Sequence, residues 1–286
     1  MSKGGILDGK LVARVYKERL RTKVKKIFVK SGMKPGLALV CVGADPASML
    51  YVRTKAKACD EVGINSFIHR FPTSCLEDDL VERIHKLNSD VKVHGILVQL
   101  PLPDYFNIEH ILNSISPSKD VDGFHPLNMG RLLSGKPHFV PCTPKGIMLL
   151  LDHYKLDIKG KHAVILGRSN IVGKPTAFML MQRDATVTIC NSRTTDLTRH
   201  ISEADILVAA VGKQGLVSGS MVKSEVIVVD VGINRKEGGG VVGDVDFSSV
   251  SNVASWITPV PGGIGPMTVA CLIGNTVEAF ENTLHC

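Results

Sequence analysis

HAVILGRSNIVGKP, residues 162–175, runs from an apolar, β-branched stretch through a turn at Gly167 into a helix that starts near Gly173 to Pro175. A strand, turn and helix in this order bring free backbone N–H groups and the positive end of a helix dipole to one point, which favours an anion such as a phosphate. The glycines depart from the G-x-G-x-x-G spacing of dinucleotide sites: they stand at 167 and 173, with Ser169 where the second glycine belongs. Alone, the stretch fits a phosphate turn and a purely structural turn equally well.

The tip of the following strand discriminates. An NAD site places Asp or Glu about 20 residues beyond the glycine turn to bind the ribose 2′-hydroxyl. Here the chain reads ICNSRTTD (189–196), with Asn191, Ser192 and Arg193 and no acid at the strand tip. Arg168 and Arg193 suit a 2′-phosphate instead, where a charge-assisted bond contributes about 1.5–3 kcal/mol, so the residues point to NADP. A second loop, TPVPGGIGPMT (258–268), gathers prolines and glycines after the last strand. Its rigid, side-chain-poor backbone lets a flat ring approach closely, and it belongs at the nicotinamide end of the crevice.

Working outward, apolar strand-like runs alternate with helical patterns throughout: 36–43, 65–71, 95–100, 162–167, 185–190, 205–212, 226–232 and 255–260. That alternation predicts an α/β protein with parallel strands. With 286 residues and 44% apolar content, the chain predicts two domains flanking a cleft. The turn-rich PCTPKG (141–146) marks the change. The expected division is a first domain of residues 1–143 joined by a returning C-terminal helix (270–286), and a doubly wound Rossmann-type domain of residues 144–269.

Composition narrows the function classes. The net charge of +7 is spread along the chain and aromatic residues make up 5%, without the basic-aromatic interleaving of single-strand binders, so no nucleic-acid partner is expected. No apolar run approaches the ~20 residues that cross a bilayer, so no membrane partner is expected. The seven cysteines are scattered without a C-x-x-C pair, which reads as reduced thiols of a cytoplasmic protein, and no histidine spacing suggests a metal.

YVRTKAK (51–57) sits in a segment with its own helix signals: Asp45 as N-cap, Pro46 at the first position and Gly63 at the end. Ser48, Tyr51 and Lys55 therefore share one helix face. Gln99 closes the strand in GILVQLPLP, whose prolines drive the chain out of the sheet. KDVDGFHP supplies Asp120 and Asp122, which in such a setting are most often turn formers.

Taken together, ILDGK (6–10), VGADPASMLYVRTKAKACDEVGI (42–64), GILVQLPLP, SKDVDGFHPLNMGRL (118–132), PCTPKG, ILGRSNIVGKP (165–175), VIVVDVGIN (226–234), GDVDF (243–247) and TPVPGGIGPMT resemble the bifunctional methylenetetrahydrofolate dehydrogenase/methenyltetrahydrofolate cyclohydrolase family, in order and over nearly the whole chain. The resemblance implies a folate-binding, catalytic first domain and an NADP-binding second. It implies that Tyr51 stacks on the folate, that Lys55 is the key catalytic group tuned by Gln99, and that Asp122 binds the pterin edge, with Pro261, Gly262 and Gly263 also at the substrate. Gly167, Arg168, Ser169, Ser192, Arg193 and Ile233 correspond to the NADP site. Asn191 departs from the family, where many members have His. The resemblance also implies NADP-dependent oxidation of 5,10-methylenetetrahydrofolate, then hydrolysis to 10-formyltetrahydrofolate, by a homodimer. The positive charge suits polyglutamylated folates, whose tails are anionic. With ILDGK at residue 6, little room is expected for an organelle presequence, and no synthetase extension is expected beyond the last helix.

Overall fold

The structure is a computed structural model that describes residues 5–236 and 238–284. Expectations for residues 1–4, Glu237 and residues 285–286, Cys286 among them, fall outside the described residues.

The chain begins with β1 (Gly5–Ile6), α1 (Gly9–Ser31), β2 (Gly36–Val42), α2 (Pro46–Val62), β3 (Asn65–Phe71), α3 (Glu77–Ser89) and β4 (Gly95–Val98), followed by the short α4 (Ile108–Asn113) and α5 (Pro126–Leu133). It continues through α6 (Cys142–His153), β5 (His162–Leu166), α7 (Gly173–Met181), β6 (Thr186–Cys190), α8 (Leu197–Ser202), β7 (Ile206–Ala209) and β8 (Ile227–Asp230). The hairpin β9 (Asn234–Arg235) and β10 (Val241–Val242), α9 (Phe247–Val250), β11 (Trp256–Ile257) and α10 (Ile264–Leu284) complete it. Two compact units result: Met1–Ala13 with Thr143–Thr268, and Arg14–Cys142 with Val269–Cys286.

In the second of these, the lysine unit, a parallel sheet has the order β3-β2-β4. Every residue of β2 is buried, as expected for an apolar strand covered on both faces. Its core gathers Ala38, Val40, Leu80, Ile84, Ile96 and Ile111, each large aliphatic side chain contributing about 1.5–3 kcal/mol by leaving water. A parallel bridge between Ile96 and Asp120 extends the sheet beside β4.

In the other, the nucleotide unit, the order is β1-β11-β8-β7-β5-β6 and every pairing is parallel. The chain goes from β5 outward to β6, then crosses back to β7 on the other side. The strand order thus reverses between β5 and β7, the point at which doubly wound sheets open a ligand crevice.

All eight sequence-predicted strands are present. Three findings differ from the expected layout. Gly5–Ile6 pair with Trp256–Ile257, so the chain's start groups with the nucleotide unit and not with residues 14–142. The hairpin β9–β10 was not anticipated. The last helix begins at Ile264, with Pro266 in its first turn, where a missing N–H costs nothing.

Candidate functional site

Lys55 reaches its place through α2. Asp45 accepts from Ser48 N at 2.8 Å, Pro46 opens the helix and Gly63 ends it at φ 91°. This cap pattern fixes the helix locally, and Lys55 falls one turn after the exposed Tyr51. Lys55 Nζ donates to Gln99 Oε1 at 3.0 Å. Gln99 Nε2 donates to Leu100 O at 2.6 Å, which turns the amide so that its oxygen meets the amine.

Asp120 and Asp122 divide their work. Asp120 is 2% exposed and accepts from Gly123 N, Phe124 N, His125 N and Asn128 Nδ2 at 2.8–3.2 Å. It is the turn former. Burial pushes its pKa up to about 6 against the pull of those donors. Asp122, two residues on, is left to interact with Lys55 and to hydrogen-bond with Cys142. Burial raises the Asp122 pKa, with Lys55 and Cys142 opposing. Burial lowers the Lys55 pKa, with Asp122 and Cys142 opposing. Removal from water therefore favours the uncharged form of each, which is what a group needs to exchange protons near neutral pH.

Cys142 escaped the sequence reading as a site residue, although PCTPKG contains it. Its Sγ donates to Val121 O at 3.3 Å and receives Asn275 Nδ2 at 3.7 Å. Asn275 also donates to Val121 O at 2.8 Å and Val140 O at 3.0 Å. No local motif announces such contacts, because Asn275 lies 133 residues away from the cysteine.

In the nucleotide unit, the departure from G-x-G-x-x-G has a physical reason. A Cβ on Gly173 would collide with the Gly167 carbonyl, so Gly173 lets the helix start pack against the Gly167 turn. Ser169 Oγ accepts from Val172 N at 3.2 Å and Gly173 N at 3.3 Å. The hydroxyl caps the start of α7 and keeps its own proton to donate. Gly167 itself sits at φ 112°, and a Cβ there would strike the Ala210 carbonyl.

The register Leu166↔Cys190 places the turns after β5 and β6 side by side. Asn191 organises the second: its Oδ1 accepts from Arg193 N at 3.0 Å, and its own N–H donates to Thr194 Oγ1 at 2.9 Å. Arg168, Ser192 and Arg193 are exposed at these adjacent tips, and neither arginine forms an ion pair among the described residues. A glycine turn that a Cβ would fill, a helix start and available cations fit a dinucleotide phosphate.

Pro261, Gly262 and Gly263 follow β11 at the carboxyl end of the same sheet. ILDGK docks onto them: Lys10 N donates to Gly262 O at 3.0 Å, and a Cβ on Gly9 would collide with Gly263 O. Ile233 is exposed in the segment between β8 and β9.

Unit by unit, these features define an α/β enzyme: one unit carries a nucleotide crevice, the other a part-buried lysine amine held by a glutamine. The comparisons agree. Residues 7–122 match the model of the tetrahydrofolate dehydrogenase/cyclohydrolase catalytic domain, and residues 141–284 that of its NAD(P)-binding domain. The chain is 54% identical over 276 residues to "Bifunctional protein FolD" of Magnetococcus marinus, covering 96% of this chain and 97% of that protein. The crystal structure of the FolD methylenetetrahydrofolate dehydrogenase/cyclohydrolase of Campylobacter jejuni superposes with a TM-score of 0.95 at 50% identity, covering 97% of this chain and 99% of that one. The Trypanosoma brucei enzyme, complexed with NADP cofactor and inhibitor, gives 0.96 at 36% identity with 100% of both chains covered. The chain belongs to the tetrahydrofolate dehydrogenase/cyclohydrolase family.

Proposed function

We propose that the chain oxidises 5,10-methylenetetrahydrofolate to the 5,10-methenyl cation with NADP and hydrolyses that cation to 10-formyltetrahydrofolate. The observation that carries this reading is the part-buried amine of Lys55, held by Gln99 and within electrostatic reach of Asp122.

When bound, NADP⁺ supplies the hydride acceptor. Arg168, Ser192 and Arg193 would hold its 2′-phosphate, the Gly167 turn with Ser169 and the α7 start would accept the diphosphate, and Ile233 and the loop 261–263 would line the nicotinamide end. Tyr51 stacks on the folate, and Asp122 pairs with the pterin edge and fixes its orientation. The oxidation passes no proton to a base, so placement of the folate matters most.

Hydrolysis needs proton transfer. Water adds to the methenyl carbon while neutral Lys55 takes one of its protons. Lys55 then returns that proton to the departing N5 as the C–N5 bond breaks, and the new hydroxyl loses its proton to solvent, leaving the formyl group on N10. Gln99 keeps the amine aimed.

The family resemblance supports a homodimer through the nucleotide unit, and the net charge of +7 supports substrates with anionic polyglutamate tails. Six cysteines that are buried and reduced among the described residues support a cytoplasmic setting. The test is a coupled assay with methylenetetrahydrofolate, following absorbance of the methenyl product and then the formyl product, with NADP against NAD. Turnover with NADP through to the formyl form is expected, and absence of the methenyl signal refutes the reading.

A further inference from the structure

Two carboxylates of the nucleotide unit that no step above uses lie buried side by side: Asp230, 3% exposed at the end of β8, and Asp244, 0% exposed after β10. Between them they receive seven donors. Asp230 accepts from Gly232 N at 2.9 Å, Asp244 N at 3.0 Å and Val245 N at 3.0 Å. Asp244 accepts from Val211 N at 2.7 Å, Gly212 N at 3.0 Å, Lys213 N at 2.8 Å and Asn234 Nδ2 at 2.9 Å.

The glycines beside them are part of the arrangement. A Cβ on Gly232 would collide with the Asp244 carboxylate, and one on Gly243 with the Asp230 carboxylate. The D-V-G of VIVVDVGIN and the G-D of GDVDF thus interlock across the hairpin β9–β10. What the lock grips is the loop after β7. Three consecutive N–H groups converging on one carboxylate is a concave backbone conformation of the kind that binds anions, and Gly212 takes φ 67° to form it. Val211, Gly212 and Lys213 are exposed, so without Asp244 their N–H groups can turn to water and the loop can relax.

That loop borders the place where the strand order reverses. It follows β7, the neighbour of β5, and the Gly167 turn lies against Ala210, whose carbonyl leaves no room for a Cβ there. Residues 210–213 are therefore the wall of the crevice opposite Gly167, Arg168 and Ser169.

We infer that Asp244, braced by Asp230, is a positioning residue for the dinucleotide: it holds the 211–213 backbone as a preformed wall, so that binding does not have to order it. The inference rests on assigning this crevice to NADP. Preorganisation of this kind shows in affinity, because a mobile wall must lose its freedom when the ligand arrives.

The experiment is equilibrium NADP binding by calorimetry, with amide hydrogen exchange on the same proteins. If the wild type does not bind NADP, the assignment of the crevice fails, which is distinct from failure of the inference. For Asp244→Ala, a tenfold or greater loss of NADP affinity is expected, with Asp244→Asn intermediate, and faster exchange at 211–213 while β5 and β8 stay protected. A folded Asp244→Ala protein that binds NADP like wild type, or whose 211–213 amides exchange no faster, overturns the inference. Should that variant not fold, Gly212→Ala strains the same turn at positive φ, where no atom lies within 4 Å of the new methyl. Several-fold weaker NADP binding is expected from it, and unaltered binding overturns the inference.

Discussion

Lys55 Nζ and Gln99 Oε1 lie 3.0 Å apart, the amine donating to an amide whose other end is tied to the Leu100 carbonyl. The amine can keep this bond in either protonation state, because a neutral amine still has two N–H groups to donate. Its lone pair then stays free for a water. Like charges on a bound folate cation and an oxidised cofactor would lower the lysine pKa. In the protein alone, burial already lowers it, and Asp122 and Cys142 pull the other way.

Replacing the amine removes the only proton carrier that the hydrolysis above uses. Lys55→Met is expected to lower cyclohydrolase turnover by 10²-fold or more, the usual contribution of a positioned acid/base group. NADP affinity is expected to be unchanged. Single-turnover hydrolysis of the methenyl substrate checks this, and a folded variant that hydrolyses at the wild-type rate removes Lys55 from its role.

Gln99→Glu tests the tuning. A carboxylate in place of the amide oxygen favours the ammonium form and raises the Lys55 pKa. Because hydrolysis needs the neutral amine, its acidic limb must move to higher pH and the rate at pH 7 must fall. A pH profile of hydrolysis measures the displacement. A limb that stays in place, or moves to lower pH, contradicts the assignment.

The residues that set these predictions were unequally legible in sequence. The α2 helix was readable because its signals are local: Asp45, Pro46 and Gly63 each act on their own few residues. The strands were readable because parallel, doubly covered strands leave continuous apolar runs such as GLALVCV. β1 was not, since two residues acquire their strand character only by pairing with Trp256 and Ile257 far along the chain. Cys142 and the Asp230–Asp244 lock were missed for the same reason: a buried thiol and a buried carboxylate look like any others until partners distant in sequence are folded onto them. Asp120 and Asp122 show the limit from the other side. Turn chemistry predicts both equally, and only the count of backbone donors on Asp120 separates scaffold from site.

Arg168 is exposed at the tip after β5, in register with the tip that carries Ser192 and Arg193. A charge-assisted bond to the 2′-phosphate contributes about 1.5–3 kcal/mol, or roughly 10- to 150-fold in affinity. Arg168→Ala is expected to weaken NADP by at least tenfold and to leave NAD, which lacks that phosphate, nearly unaffected. Binding constants for both cofactors decide it, and an unchanged ratio between them refutes the role.

His94 makes a prediction about stability. It is 8% exposed, its Nδ1 accepts from Gly36 N at 3.0 Å, and its ring meets Phe280 edge-on at 4.6 Å. A proton on Nδ1 would destroy that bond and set N–H against N–H. Burial, with Lys119 adding to it, lowers its pKa to about 4 from the ordinary 6.5. Between these values the unfolded chain holds a proton that the folded chain does not. The His94 contribution is therefore fully present above pH 6.5 and is lost as pH falls toward 4, amounting to about 2 kcal/mol after allowance for solvent screening. Asp120 and Asp230, both raised from 3.8 to about 6, act oppositely over their own window, gaining stability as pH falls. The whole-protein profile thus partly cancels, and a difference measurement is needed. His94→Gln keeps an acceptor for Gly36 N and does not titrate. The stability of wild type relative to this variant, from urea unfolding, is expected to hold above pH 6.5 and to decline from there to pH 4.5, and a difference that stays constant shows that folding leaves the His94 pKa unchanged.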